Sequence, residues 1–266
     1  MPAKGAEIVP RAVTIATSDS GGGAGIQADL KAFAAVGVYG TSALVALTAQ
    51  NTTAVTAVHE LPPDFIRAQL DAIFADIGVD AAKTGMLFSR RIIETVAEFL
   101  ERHSVPLVVD PVLIASSGAQ LLQDDAVETL IRRLFPLAAV VTPNLPEAKT
   151  LTGLVGASRR ELAERLVELG APAALVTGGH GDTAVDHLFD GRDHTELPVE
   201  RHPVAATHGA GCTHSATLAA LLARGLPLVE AARGASAAAS AAVRHGLVEI
   251  GAGDGPVDVL NLKGRA

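Results

Sequence analysis

Tryptophan is absent from this chain of 266 residues, tyrosine occurs once, and aromatic residues make up 3% of it. A surface for stacking successive nucleobases has little to be built from. Clusters of lysine and arginine are missing as well, and the formal charge is −8, so neither nucleic acid nor an anionic membrane is expected as a partner. Cys212 is the only cysteine, which excludes an internal disulfide and suits a reducing cytoplasm. No run of about 18 uncharged apolar residues occurs except the alanine-rich stretch 231–243, which Arg233 interrupts. No transmembrane helix is expected. Residues 1–10 carry Lys4 and Glu7 without an extended apolar region; they are expected to be poorly ordered and do not read as a secretory signal. No Gly-Lys pair exists, which excludes a Walker loop.

What is present centres on Thr207 to Thr217, T-H-G-A-G-C-T-H-S-A-T. Gly209, Ala210 and Gly211 lead into an alanine- and leucine-rich run, the pattern of a tight loop opening a helix. Small residues there leave backbone N–H groups uncovered, and with the helix dipole they offer a seat for phosphate or a developing phosphoryl anion. The same field would favour a Cys212 thiolate. The plain alternative is a close chain turn beside a small buried thiol.

Strands and helices alternate along the rest. Residues 11–17 read as a buried strand, 18–25 as a glycine-rich loop and 26–36 as a helix with Asp29 one turn in, near enough to face a ligand. Gly23, Gly25 and Ala28 match a dinucleotide fingerprint, but no acid follows between Leu30 and His59 to take a ribose hydroxyl. A second strand, 41–50, ends at Gln50, whose amide offers donor and acceptor together for the edge of a nitrogen heterocycle, or is satisfied by loop backbone. A helix to about Ile77 follows, then a strand at 81–84 with Gly85-Met86 at its edge; Met86 suits either the core or the wall of a flat ring's pocket. A helix to about His103 leads to a strand ending at Asp110, either a site carboxylate or a turn residue. Helix 124–134 and strand 138–142 lead to Asn144 and Glu147, spaced to hold a hydrated Mg²⁺ or to cap a helix. After helix 160–169 and strand 173–177, Gly178-Gly179-His180-Gly181 is a phosphate-sized loop; 184–189 and 194–199 read as a hairpin, and the alanine-rich tail as closely packed helices. Throughout, the pattern predicts one three-layer α/β/α domain over 11–266 with a mostly parallel sheet, its ligands at the carboxyl ends of the strands.

With these segments in hand, the sequence resembles the hydroxymethylpyrimidine/phosphomethylpyrimidine kinases of thiamine biosynthesis, within the ribokinase-like fold. The resemblance rests on S-D-S-G-G-G-A-G-I-Q-A-D at Ser18 to Asp29, A-Q-N-T at Ala49 to Thr52, K-T-G-M-L at Lys83 to Leu87, V-V-D-P-V at Val108 to Val112, T-P-N-L-P-E-A at Thr142 to Ala148, G-G-H at Gly178 to His180 and T-H-G-A-G-C-T at Thr207 to Thr213. It implies ATP-dependent phosphorylation of the hydroxymethyl group and then of the monophosphate, in a cytoplasmic homodimer. Gly209 to Cys212 would form the anion hole with Cys212 in the place of a base, and Asp29, Gln50, Met86, Val112 and Thr17 would surround the pyrimidine. Asp110, Thr177, Gly179 and Thr207 would lie along the nucleotide, and Asn144 and Glu147 would hold Mg²⁺. Three positions depart from the family pattern: Thr17 stands for a glycine, and Ser116 and Thr177 for lysines. A vitamin B6 kinase of the same fold, a pyrimidine-binding protein that has lost catalysis and a cysteine hydrolase pairing Cys212 with His208 or His214 are the competing readings.

Overall fold

The computed structural model describes residues 8–113, 124–179 and 184–265. Nine strands form one sheet, ordered β3-β2-β1-β4-β5-β6-β7-β8-β9. β1 (Arg11–Asp19), β2 (Tyr39–Gln50), β4 (Ala81–Thr84), β5 (Leu107–Val109), β6 (Val140–Val141) and β7 (Ala174–Val176) run parallel, while β3 (Val55–Glu60), β8 (Val185–Phe189) and β9 (His194–Pro198) are added by antiparallel pairing at the two edges.

Alternation along the central strands assigns their side chains to two apolar layers. Val13, Ile15, Val109, Val141 and Val176 point to one face, against α2 (Pro63–Ala72), α3 (Arg90–Leu100), α4 (Asp124–Leu134), α5 (Leu145–Thr152) and α6 (Arg159–Glu168). Ala12, Val108, Val140 and Leu175 point to the other, where α1 (Gly25–Ala35), α7 (Ala210–Ala223) and α8 (Leu228–Arg244) lie. Both faces are therefore dry, which is why these strands read as nearly continuous apolar runs. The three-layer α/β/α architecture expected from the sequence is present, and so is the hairpin, with Asp190 turning it by accepting from the backbone of Arg192 and Asp193.

Two elements differ from expectation. No element is expected from the sequence over residues 55–60, V-T-A-V-H-E, yet they pair antiparallel with β2 at the sheet edge. An exposed edge strand needs neither a continuous apolar run nor clean alternation, so its pattern is silent. The helix expected to run to Ile77 leaves α-geometry at Ile73 for a π turn over Ile73–Ile77. The alanine-rich tail is α7 and α8; a Cβ at Gly234 would press into Leu221, so the small residue permits the close crossing.

The connections after β1 and β4 leave on opposite faces, through α1 and α3, so a crevice opens between these neighbouring strands at their carboxyl ends. This is the switch point at which open α/β sheets take ligands.

Candidate active site

At the floor of that crevice Lys83, from β4, is wholly buried. Its ammonium donates to Asp29 Oδ1 at 2.7 Å and lies 3.5 Å from Asp110 Oδ2. Thr14 donates to the other Asp29 oxygen at 2.6 Å, and Ser215 of α7 donates to Asp110 at 2.7 Å. Burial works against the Lys83 ammonium, but Asp29 and Asp110 outweigh it and hold the lysine above its ordinary value. Burying these charges is tolerable only because each is paired and hydrogen-bonded.

Above the floor α7 begins at Gly209, in the left-handed region at φ 83°, with no side chain capping the helix. A Cβ at Gly209 would strike the carbonyl oxygen of Gly23, so only glycine lets the two glycine-rich loops touch here. Gly211 faces open space. The first turn of α7 thus presents backbone N–H groups and the positive end of the helix at the crevice. Cys212, half-buried, lies in that turn within electrostatic reach of Lys83, Asp29 and Asp110. Burial drives its thiol up to about 12, with Asp29 and Asp110 adding to the rise and Lys83 opposing it. This corrects the expected thiolate: burial disfavours the charged form, and two carboxylates against one ammonium leave the floor net negative, so a third negative charge is opposed.

The glycine-rich loop after β1 is organised by Asp19, which accepts from the backbone of Gly21 at 2.8 Å, Gly23 at 3.1 Å and Ala24 at 2.8 Å, and from His208 Nε2 at 3.1 Å. Burial raises its carboxyl, but the His208, Ala24 and Gly21 bonds prevail and leave it below the usual carboxylate range. Gln50, at the end of β2, shares a cleft of about 280 Å³ with His208, Asn51 and Asp254.

On the far side of Asp110, Asn144 and Glu147 form a reciprocal capping box at the start of α5: Asn144 Oδ1 accepts from Glu147 N, and Glu147 Oε2 accepts from Asn144 N, each at 2.9 Å. The capping alternative is what the geometry displays for Asn144. Glu147 has a second feature. Burial and then the charge of Asp110 push its carboxyl up to about 8, the signature of a negative site lacking a counter-charge. No group of three acidic, histidine or cysteine side chains among the described residues is arranged to hold a metal. A divalent ion fitting Glu147 and Asp110 would keep several waters, as Mg²⁺ does.

A family model for phosphomethylpyrimidine kinase matches residues 19–258. A hydroxymethylpyrimidine/phosphomethylpyrimidine kinase of Rhizobium meliloti (strain 1021) is 50% identical over 253 residues, covering 92% of this chain and 95% of that protein. The chain belongs to the phosphomethylpyrimidine kinase family. Among solved structures, a phosphomethylpyrimidine kinase from Clostridium difficile 630 is 40% identical with a TM-score of 0.77, over 86% of this chain and 96% of that one. A Bacillus subtilis pyridoxal kinase, in an ADP complex, is 38% identical with a TM-score of 0.88 over 96% of this chain and 99% of that one.

In this phosphomethylpyrimidine kinase family member the sequence-expected residues fall into three groups. Cys212, Gly209, Ala210, Gly211, Asp110 and Asp29 converge on the crevice, with Gln50, Met86 and Val112 at the ends of the strands beside it or in the loops that follow. Asp29, however, exposes no surface, since Lys83 and Thr14 occupy its oxygens; it lies behind the wall rather than on it. Thr17 is likewise turned inward, its hydroxyl donating to the Met86 carbonyl at 3.0 Å, so it brings no free hydroxyl to the pocket. Thr207 gives its hydroxyl to Asp254 at 2.9 Å, and Thr177 and Gly179 border the loop after β7. Ser116 and His180 lie outside the described residues.

The cysteine-hydrolase pairing is not assembled. His208 Nε2 faces Asp19, and His214 Nε2 faces Asp186 Oδ2 at 3.4 Å, beside Ser236. Lys83, Asp19 and Asp186, which accepts from Gly178 N, were missed as organisers. A lysine within A-A-K-T, a strand too apolar for it, was the legible sign of Lys83. For Asp19 it was an aspartate just ahead of a run of backbone donors.

Proposed function

We propose that this phosphomethylpyrimidine kinase family member transfers the γ-phosphoryl group of ATP to the hydroxymethyl group of 4-amino-5-hydroxymethyl-2-methylpyrimidine, and then phosphorylates the monophosphate, in thiamine biosynthesis. The observation that carries the reading is an uncapped α7 N-terminus in the same structure as the paired Lys83 floor, with Gln50 in a cleft beside His208, the residue that precedes the α7 N-cap. The hydroxymethyl oxygen forms the new bond to phosphorus while the bridging oxygen leaves with ADP. The N–H groups of α7 meet the charge on the migrating group. Cys212 holds its proton at neutral pH and so has no site for a second; the hydroxyl proton leaves late in the transfer and passes to an oxygen of the transferred phosphoryl group. Glu147 and Asp110 would hold a hydrated Mg²⁺, whose chemistry there would be neutralisation of phosphate charge.

For the nucleotide, a groove of about 650 Å³ lies between β9 and α8, bordered by Val199, His202, Arg233 and Arg244. Thr177 stands where the family pattern has a lysine, but Arg201 donates to the Gly178 carbonyl at 3.2 Å and brings a cation to the same loop. We read the assembly as a cytoplasmic homodimer. Exposed Tyr39, Leu47 and Phe65 supply apolar surface, and no helix of the described residues is long and apolar enough to cross a membrane.

A second reading, pyridoxal kinase, is favoured by the 0.88 TM-score to a kinase of that kind. Gln50 separates the two. An aminopyrimidine sets a ring-nitrogen acceptor beside an amino donor, which one amide satisfies, whereas the B6 ring lacks that edge. Purified protein with Mg·ATP and a panel of the pyrimidine, its monophosphate, pyridoxine and pyridoxal, with product masses measured, should favour the pyrimidine. Gln50→Leu should lower its kcat/KM by roughly ten- to a hundredfold, with any pyridoxal turnover unchanged. Preference for pyridoxal, or an equal loss on both, would remove the thiamine-pathway assignment.

A further inference from the structure

The backbone of Gln50 is clamped by Ser20, which donates to Gln50 O at 2.7 Å and accepts from Gln50 N at 2.8 Å. What remains free is rotation of the side-chain amide, whose two ends have nearly the same shape and are told apart by their hydrogen bonds. As placed, Gln50 Nε2 lies 3.4 Å from His208 Nε2, and Gln50 Oε1 lies 3.2 Å from Thr48 Oγ1.

His208 Nε2 is a donor, since the Asp19 carboxylate stands 3.1 Å from it and an ionised carboxylate only accepts. The amide is therefore turned over from this placement, its oxygen toward His208 and sharing the one Nε2 hydrogen with Asp19, because nitrogen there would set two donors against each other. The other end agrees. Thr48 already gives its proton to the Ser18 carbonyl at 2.9 Å, so its oxygen is left to accept from the Gln50 amide nitrogen. Both neighbours impose one orientation.

We propose that His208 is a positioning residue that fixes the orientation of the Gln50 amide and so determines which hydrogen-bonding edge the pocket accepts. With Oε1 held toward His208 and Nε2 toward Thr48, each end keeps one bonding position: a lone pair on oxygen and a hydrogen on nitrogen. Those positions fit a ligand presenting a ring-nitrogen acceptor beside an exocyclic amino donor. A 4-oxo ring protonated at the adjacent nitrogen presents the reverse order and is rejected while the amide stays fixed. Asp19 extends the device, because it ties the His208 proton to the loop that Gly21, Gly23 and Ala24 form around it. Packing supports the same role, since a Cβ at Gly23 would collide with the His208 ring.

This inference rests on Gln50 meeting the pyrimidine edge, and its test separates the two claims. Wild type, His208→Leu and His208→Gln are compared on the 4-amino-5-hydroxymethyl-2-methylpyrimidine and its 4-oxo counterpart. His208→Leu frees the amide to turn, so the amino-to-oxo ratio of kcat/KM should fall at least tenfold, chiefly through KM and partly through improved use of the oxo compound. His208→Gln retains an N–H donor for Asp19 and Gln50 and should recover most of the ratio. In a Gln50→Leu background His208→Leu should leave the ratio unchanged. If His208→Leu depresses both substrates in parallel, His208 only packs the loops and the proposal is overturned. Nitrogen-15 spectra of the substrate-free protein provide a second measurement, with Nε2 of His208 expected to be protonated; an unprotonated Nε2 overturns the amide assignment. Should wild type phosphorylate neither pyrimidine, the substrate reading fails, and the spectra alone decide the assignment of the amide.

Discussion

Among single residues, Cys212 shows how a local rule is overruled by its surroundings. A helix N-terminus lowers a thiol pKa, yet burial and two carboxylates drive this one up to about 12. Because the thiolate is the species that alkylates, the rate for this sole cysteine with iodoacetamide should still rise about tenfold per pH unit between pH 7.5 and 9.5, where an ordinary thiol levels off near 8.5. A plateau below pH 9 would show that Lys83 and the helix prevail. Lys83 itself is the more severe test of the floor. Lys83→Met leaves Asp29 and Asp110 buried without their cation, which costs about 3–5 kcal/mol. At roughly 2–4 °C per kcal/mol for a chain of this size, the thermal midpoint should drop by about 6–20 °C. A drop under 3 °C would mean that the carboxylates simply take up protons.

The elements carry function through their ends. α5 is closed by the Asn144–Glu147 box, and a glutamine at 147 can still accept from Asn144 N, so Glu147→Gln preserves the cap while deleting the charge. With its carboxyl raised to about 8, Glu147 stays protonated in the folded chain over a range where the unfolded chain has ionised it. Its stabilising contribution is complete below the unfolded value near 4.5 and is lost as pH rises through 8. In EDTA, melting curves of wild type and Glu147→Gln should coincide at pH 4 and separate by pH 9, with the glutamine variant the more stable. With Mg·ATP the order reverses in function, and the variant should need more Mg²⁺ for half activity. An unchanged Mg²⁺ titration would remove the metal role and leave Glu147 as a cap. α7 has a different kind of end: Gly209 leaves its first turn open by letting it rest on the Gly23 carbonyl, a contact that any side chain at 209 would abolish.

For the whole molecule, the crevice between β1 and β4, with the α7 N-terminus over it, lies inside the sheet, and the groove between β9 and α8 lies at the edge of the strand order. Ligands in either place draw on the same folded frame, so each should stabilise it by mass action: about 2.7 kcal/mol at 100 times Kd, or roughly 5–11 °C in thermal midpoint. The aminopyrimidine should produce this shift and pyridoxal a smaller one at equal concentration. Equal shifts would argue that the pocket does not discriminate between the rings.

Local pattern alone determined the alternation of buried strands and helices, the three-layer class and the glycine loop at the start of α7, because periodicity and turn chemistry act over a few neighbouring residues. The order and spacing of the short motifs then indicated the family. Contacts between distant segments were decided by the tertiary structure. Lys83 meets Asp29 and Asp110 only because β4 lies between β1 and β5. Asp19 meets His208 across 189 positions. β3 is a strand because β2 offers it an edge. Cys212 keeps its proton because the fold buries its sulfur and adds two carboxylates near it, and burial and Coulomb energy depend on separation in space rather than along the chain.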